Sequence, residues 1–158
     1  MQKMTLKVDS REQLPLDFSF DTSTFNVITE GMPVGDYWAQ LEDGTEIPLV
    51  FERKGISDLY GTLTKGMPRF KRELERAKEA GIQMVLIIEG SMRDVAKGIP
   101  HSQVDGSQIL KTIFSLWIRH DLIPVFCNDR AEMARFITES FSAVHRSFEK
   151  DRKEEAKT

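Results

Sequence analysis

Apolar and polar side chains alternate at Leu6-Lys7-Val8, and the pattern stops at Asp9-Ser10-Arg11-Glu12, as in a short strand with one buried face. Phe25-Asn26-Val27-Ile28 repeats that signature. Residues 35–40 and 47–54 form two further strand-like runs around Asp43-Gly44, a strong turn signal, and so predict a hairpin. Pro48 suits the start or the edge of the second arm, because it cannot donate to a ladder. Pro68 is placed to open a helix. Phe70, Leu74 and Ala77 give that helix one apolar stripe, and Gly81 closes it. Met84 to Ile88 is a continuous apolar run, the mark of a strand buried on both faces. A second helix is expected from about Ser107 to His120, with Leu110, Ile113, Phe114 and Trp117 on its apolar face. Ile123 to Cys127 reads as the next buried strand. Asp129 and Glu132 form a capping box for a last helix that buries Met133, Phe136, Ile137, Phe141, Val144 and Phe148.

Strands come first, and helix and strand then alternate. This order predicts an α/β architecture in which helices flank a mixed sheet, with an antiparallel hairpin at one side and parallel strands at the other. The 158 residues suit one domain, expected over residues 1–148, followed by a charged, disordered tail over residues 149–158. No internal repeat or low-complexity linker divides the chain. A composition of 40% hydrophobic and 30% charged residues is that of a soluble globular protein. The first residues lack an apolar secretion core, and no run is long enough to span a bilayer. The single cysteine, Cys127, can form no internal disulfide and reads as a small buried hydrophobe. These features predict a cytoplasmic protein, associated with the nucleoid in a bacterium or phage.

Charge changes the picture through its distribution. The net charge is only −3, but residues 1–51 hold 3 basic and 9 acidic side chains, whereas residues 52–78 hold 8 basic and 4 acidic ones. Carboxylates that hold a metal beside cations that hold phosphate would give this asymmetry. So would a solvated helix face.

Glu52-Arg53-Lys54 lies on the second hairpin arm. Alternation along a strand points Glu52 and Lys54 to one face and Arg53 to the other. Asp36 starts the partner arm and can lie across from Glu52, so two carboxylates and an ammonium converge at one end of a sheet. Asp36 and Glu52 are hard oxygen ligands suited to Mg²⁺ or Mn²⁺, and Lys54 can position a water or stabilise charge on a phosphate. Asp9, at the end of the first strand, is placed to be a further ligand or to anchor the others. The short pattern alone is weak, since a surface hairpin with a cross-strand salt bridge carries the same three residues.

Further strings accompany it in order: VDSRE at 8–12, GDY at 35–37, FERKGISDL at 51–59 and IIEGS at 87–91. Together they resemble the nuclease domain of the XPF/Hef family of structure-specific endonucleases, whose hallmark is GD…ERK…D preceded by D-x-R-E. The resemblance extends to about His145. It implies a restriction-endonuclease-like, PD-(D/E)xK-type fold, dependence on Mg²⁺ or Mn²⁺, and cleavage of branched or flap DNA in repair or recombination. By position it makes Asp36 and Glu52 metal ligands, makes Lys54 catalytic, and completes the site with Asp9, Arg11, Glu12, Arg53 and Asp58. The fork of the Arg11 guanidinium fits two phosphate oxygens. Arg53 is open between a role in the site and a structural ion pair under the sheet. Family members usually continue into a tandem helix-hairpin-helix module. This sequence ends before one, so the reading expects a stand-alone domain whose DNA grip comes from a partner protein, or a less structure-selective nuclease. The hairpin at Asp43-Gly44 is also somewhat long for the family.

Lys65, Arg69, Lys71 and Arg72 cluster around the start of the helix that Pro68 opens, where cations oppose the helix dipole. A bound phosphate would relieve that conflict, which makes these residues candidate DNA contacts. Gly61 and Gly66 flank a loop expected to move when DNA binds. The large apolar residues of the last two helices (Trp117, Phe136, Phe141, Phe148) predict a homodimer. His101, His120 and His145 lack metal-ligand spacing. Two competing readings remain: a silent nuclease fold serving as a binding subunit, and a phosphodiesterase of the same fold with sequence preference. The first would be expected to lose a ligand or the lysine, and all three are present. A small-molecule enzyme fits least, because no glycine-rich phosphate cradle or nucleophile elbow occurs.

Overall fold

The computed structural model describes residues 3–157. Its strands are β1 (Met4–Asp9), β2 (Phe25–Glu30), β3 (Tyr37–Gln40), β4 (Glu46–Gly55), β5 (Gln83–Glu89) and β6 (Ile123–Cys127). Its helices are α1 (Ile56–Thr62), α2 (Met67–Glu79), α3 (Met92–Ala96), α4 (Gly106–His120) and α5 (Arg130–Ala156). The strands form one mixed sheet in the order β2-β1-β3-β4-β5-β6. The hairpin β3–β4 is antiparallel, as expected, but it lies mid-sheet rather than at one side. β1 runs antiparallel to β3, and parallel pairs close both ends, β1–β2 at one and β4–β5–β6 at the other. The alternative was unreadable because β1 and β2 are linked by an irregular stretch rather than by a tight turn.

Alternation along the strands divides the core in two. Val85 and Ile87 of β5 face one side with Tyr37, Phe51 and the first half of α5. Met84, Leu86 and Ile88 face the other, with Val50, Phe70 and Leu74 of α2, and Ile109 and Ile113 of α4. Both layers of helix are thus fed by one strand, which explains its unbroken apolar sequence. α2 starts with Pro68 in its first turn and buries Phe70, Leu74 and Ala77, and Gly81 follows at φ +72°. Each of these features follows the sequence pattern.

Several expectations need correction. α4 buries Ile109, Ile113 and Leu116, while Leu110 and Phe114 lie at the margin and Trp117 is 52% exposed. The sequence carries two overlapping stripes, and the bulkier one faces outward. β6 is an edge strand in which only Cys127 is buried, and Pro124 fits that edge position. Phe136 on α5 is partly exposed, although Phe141 is fully buried and Val144 and Phe148 pack on the core. Finally, α5 continues as one helix through Ala156 and includes most of the expected disordered tail. Exposed charged side chains dominate this last stretch, and Arg152 reaches Asp43 at the hairpin tip, 3.3 Å away. Thr158, the end of that expected tail, and Met1 and Gln2 at the start lie outside the described residues. The Asp129 carboxylate caps the α5 N-terminus through the Glu132 N–H at 2.8 Å. Glu132 reaches back to the N–H of Asn128 instead of Asp129.

Candidate active site

β3 begins where β4 ends, and this places the acidic residues together. The register sets Tyr37 against Phe51, so one step further Asp36 faces Glu52. Gly35 makes the turn possible: it lies at φ +71°, and a Cβ there would come within 2.3 Å of Val50 Cγ2. The Asp36 N–H donates to the Phe51 carbonyl at 2.7 Å, and its carbonyl accepts from the Asp9 N–H at 2.9 Å. These bonds stitch three strand ends together. The Asp36 Oδ2 accepts the Arg53 N–H at 2.8 Å.

Glu52 and Lys54 project to the same face as Val50, and Lys54 Nζ lies 3.5 Å from Glu52 Oε1. They open into a cleft of about 520 Å³ that is also lined by Asp9, Arg11, Asp36, Asp58, Arg69 and Glu73. α1 and the start of α2 form its far wall. Burial raises the Asp36 carboxyl to about 7, against the opposing effect of the Arg53 N–H. Burial also holds Glu52 well above the usual carboxylate range, and the negative charges of Asp36 and Glu73 add to the effect. Both groups resist ionisation chiefly because they are withdrawn from water, and the Lys54 ammonium only partly offsets that cost.

The expected site residues separate into two groups. Asp36, Glu52, Lys54, Asp9, Arg11 and Asp58 share the cleft. Asp9 is buried with both oxygens engaged: Oδ2 accepts from Arg11 Nε at 2.8 Å and Oδ1 from the Met32 N–H at 3.0 Å. It therefore braces Arg11 and the loop before Asp36. Arg53 and Glu12 lie on the opposite face. Arg53 Nε donates to Glu12 Oε2 at 2.9 Å, and the Tyr37 hydroxyl donates to the same oxygen at 2.6 Å. This buried triad fixes the end of β4 from beneath, which is the structural ion pair that strand alternation allowed.

The basic cluster also divides. Successive helix residues rotate by roughly 100°, so Arg69 and Glu73 flank the buried Phe70 on the cleft side, while Lys71 and Arg72 point elsewhere. Arg69 lines the cleft; Lys65, Lys71 and Arg72 are exposed outside it. The 61–66 loop is a tight turn, held by the Gly66 N–H to the Gly61 carbonyl at 2.9 Å and the Thr64 hydroxyl to the Tyr60 carbonyl at 2.7 Å. Glu73 was not among the expected residues. It sits between Arg72 and Leu74 in a charged stretch, and only its position next to the apolar stripe, on the side of Arg69, marks it.

Among the described residues, no group of three His, Cys, Asp or Glu side chains is gathered so as to hold a metal ion by itself. The donor set nevertheless fits a hard divalent cation. Mg²⁺ commonly uses one or two carboxylates and fills its remaining positions with water and substrate phosphate. Asp36 and Glu52 supply two such carboxylates, the first partly buried and the second buried.

The six-stranded mixed sheet flanked by helices is the fold of the XPF nuclease. XPF from Aeropyrum pernix superposes with a TM-score of 0.68 at 19% identity, over 94% of this chain and 69% of that one. XPF from the same organism in complex with DNA superposes with a TM-score of 0.65 at 20% identity, over 94% and 66%. The chain thus spans about two thirds of the length of each. Residues 8–140 match the ERCC4 domain, and the chain belongs to that family of nuclease domains. No curated protein sequence matches it significantly.

Proposed function

We propose that this domain is a metal-dependent DNA endonuclease that hydrolyses phosphodiester bonds at branched, flap or fork structures during repair or recombination. The observation that carries the reading is the convergence of Asp36, Glu52 and Lys54 at the end of β4, in an open cleft that also presents Arg69 and Arg11. Asp36 and Glu52 would hold Mg²⁺ or Mn²⁺. When bound, such an ion polarises a phosphoryl oxygen and makes a water nucleophilic near neutral pH. Lys54 Nζ orients that water or neutralises charge on the phosphate, at a fixed height set by its strand. Asp9 positions Arg11 for a phosphate oxygen, and Asp58 completes the acidic rim. Glu12 and Arg53 support the reacting strand from the opposite face. Arg69 takes a DNA phosphate at the cleft, and Lys65, Lys71 and Arg72 extend weaker backbone contact beyond it.

The XPF of similar fold was crystallised with DNA, which supports DNA as substrate here. A DNA-processing role places the domain in the cytoplasm or at the nucleoid, and no described helix is long and apolar enough to cross a membrane. A second protein supplying a helix-hairpin-helix grip would sharpen the preference for branches. We also propose a homodimer. Phe141 and Phe148 are taken up by the core, which leaves Trp117 and Ile118 of α4 and Ile123 of the edge strand β6 exposed, and Phe136 of α5 partly exposed beside Phe51.

Ranking cleavage rates of labelled flap, fork, Holliday-junction and linear duplex DNA tests the substrate reading. Branched DNA should be cut at least about tenfold faster than duplex, a modest difference of about 1.4 kcal/mol in activation free energy. Equal rates would point to the less selective nuclease. Binding without cutting would point to the silent subunit.

A further inference from the structure

The turn that presents Asp36 has no side chain of its own to fix it, because Gly35 is confined to glycine by its φ of +71° and by the nearness of Val50. Something else must hold it. The Gly35 N–H donates to Glu73 Oε1 at 2.9 Å, a contact that bridges 38 residues of sequence. Glu73 also lines the cleft together with Glu52, and its negative charge helps to raise the Glu52 carboxyl. One side chain therefore holds the turn behind Asp36 and faces the same cleft as the second carboxylate of the site. Its helix is firmly seated, since Phe70 and Leu74 on either side of it in the stripe are buried. An incidental glutamate on a helix surface would not reach the turn.

We propose that Glu73 is a positioning residue of the metal site, gripping the Gly35 N–H so that the Asp36 carboxylate is held beside Glu52. The inference rests on Asp36 and Glu52 binding metal. Because the grip is a hydrogen bond to an N–H, an amide oxygen can replace it. Glu73→Gln keeps the acceptor and Glu73→Ala removes it, and alanine is the best helix former, so α2 persists in both.

Mn²⁺ binding to the DNA-free protein, followed by electron paramagnetic resonance and calorimetry, separates the possibilities. Wild type should bind Mn²⁺ and Asp36→Asn should not. Glu73→Ala should bind about tenfold more weakly, as expected when a hydrogen bond to a charged group is lost, and Glu73→Gln should return to within about threefold of wild type. Wild-type affinity in Glu73→Ala would overturn the proposal. Equal weakening in both Glu73 variants would also overturn it, because the charge and not the grip would then matter. Failure of wild type to bind Mn²⁺, or full binding by Asp36→Asn, would instead overturn the metal reading beneath it, and this inference with it.

Discussion

The Asp36 carboxyl ionises against its surroundings, and that has a measurable sign. Its folded value is pushed up to about 7 from an ordinary 3.8, first by burial. Between those values the folded protein holds more proton than the unfolded chain, so stability falls as pH rises through the window. Comparing urea unfolding of wild type and Asp36→Asn in EDTA reports this group together with its effect on Glu52. Wild type should lose stability relative to the variant between pH 3.8 and about 7, and the difference should level off above. A difference that is flat across the window would contradict the burial argument. Gly35 offers a second test at this scale. Gly35→Ala puts a Cβ 2.3 Å from Val50 Cγ2 at a positive φ, and should lower unfolding free energy by about 3 kcal/mol from backbone strain and overpacking together. The placement of the β4 residues was legible because strand alternation alone separates Glu52 and Lys54 from Arg53. Glu73 was not legible, because its partner Gly35 lies 38 residues away in the sequence.

Helix α2 does two jobs with one turn of sequence. Its buried stripe seats it against the sheet, and that rotation decides which cations face the cleft. Arg69→Glu should weaken binding to branched DNA by about tenfold at fixed salt, and Arg72→Glu by clearly less, since only Arg69 lines the cleft. Fluorescence anisotropy in metal-free buffer checks this, and equal losses would mean that the helix as a whole acts as a diffuse basic surface. The stripe itself was readable from Phe70, Leu74 and Ala77. α1 was not, because its seven residues follow directly on β4 and are too few to show a period. α4 misled for a different reason: Leu110, Phe114 and Trp117 repeat at helical spacing as well as Ile109, Ile113 and Leu116 do, and size is no guide to which face turns inward. What the sequence pattern cannot contain is the neighbour that each face meets.

Across the whole molecule, the mid-sheet hairpin explains the location of the site. β3 and β4 bring Asp36 against Glu52, β1 brings Asp9 and Arg11 alongside, and α1 and α2 close the far wall. The α/β class followed from the order of elements, but the placement of the hairpin depended on long-range pairing of β1 with β3. The same arrangement leaves β6 as an edge bordered by α4 and α5, with Trp117 and Ile118 exposed. Replacing both by glutamate should convert a dimer into a monomer at micromolar protein without loss of helical signal, as judged by light scattering and circular dichroism. A wild-type monomer would remove the dimer from the account. At the cleft, the proposed chemistry is hydrolysis of DNA by Asp36, Glu52 and Lys54 with a divalent ion. The most direct measurement is cleavage of a labelled flap by wild type, Asp36→Asn and Lys54→Ala, each with Mg²⁺, with Mn²⁺ and with EDTA. The account predicts metal-dependent cutting by wild type and a loss of at least about a hundredfold in both variants, in keeping with removal of a ligand or a charge-stabilising group. Undiminished cutting by well-folded Asp36→Asn or Lys54→Ala, or cutting that persists in EDTA, would contradict it.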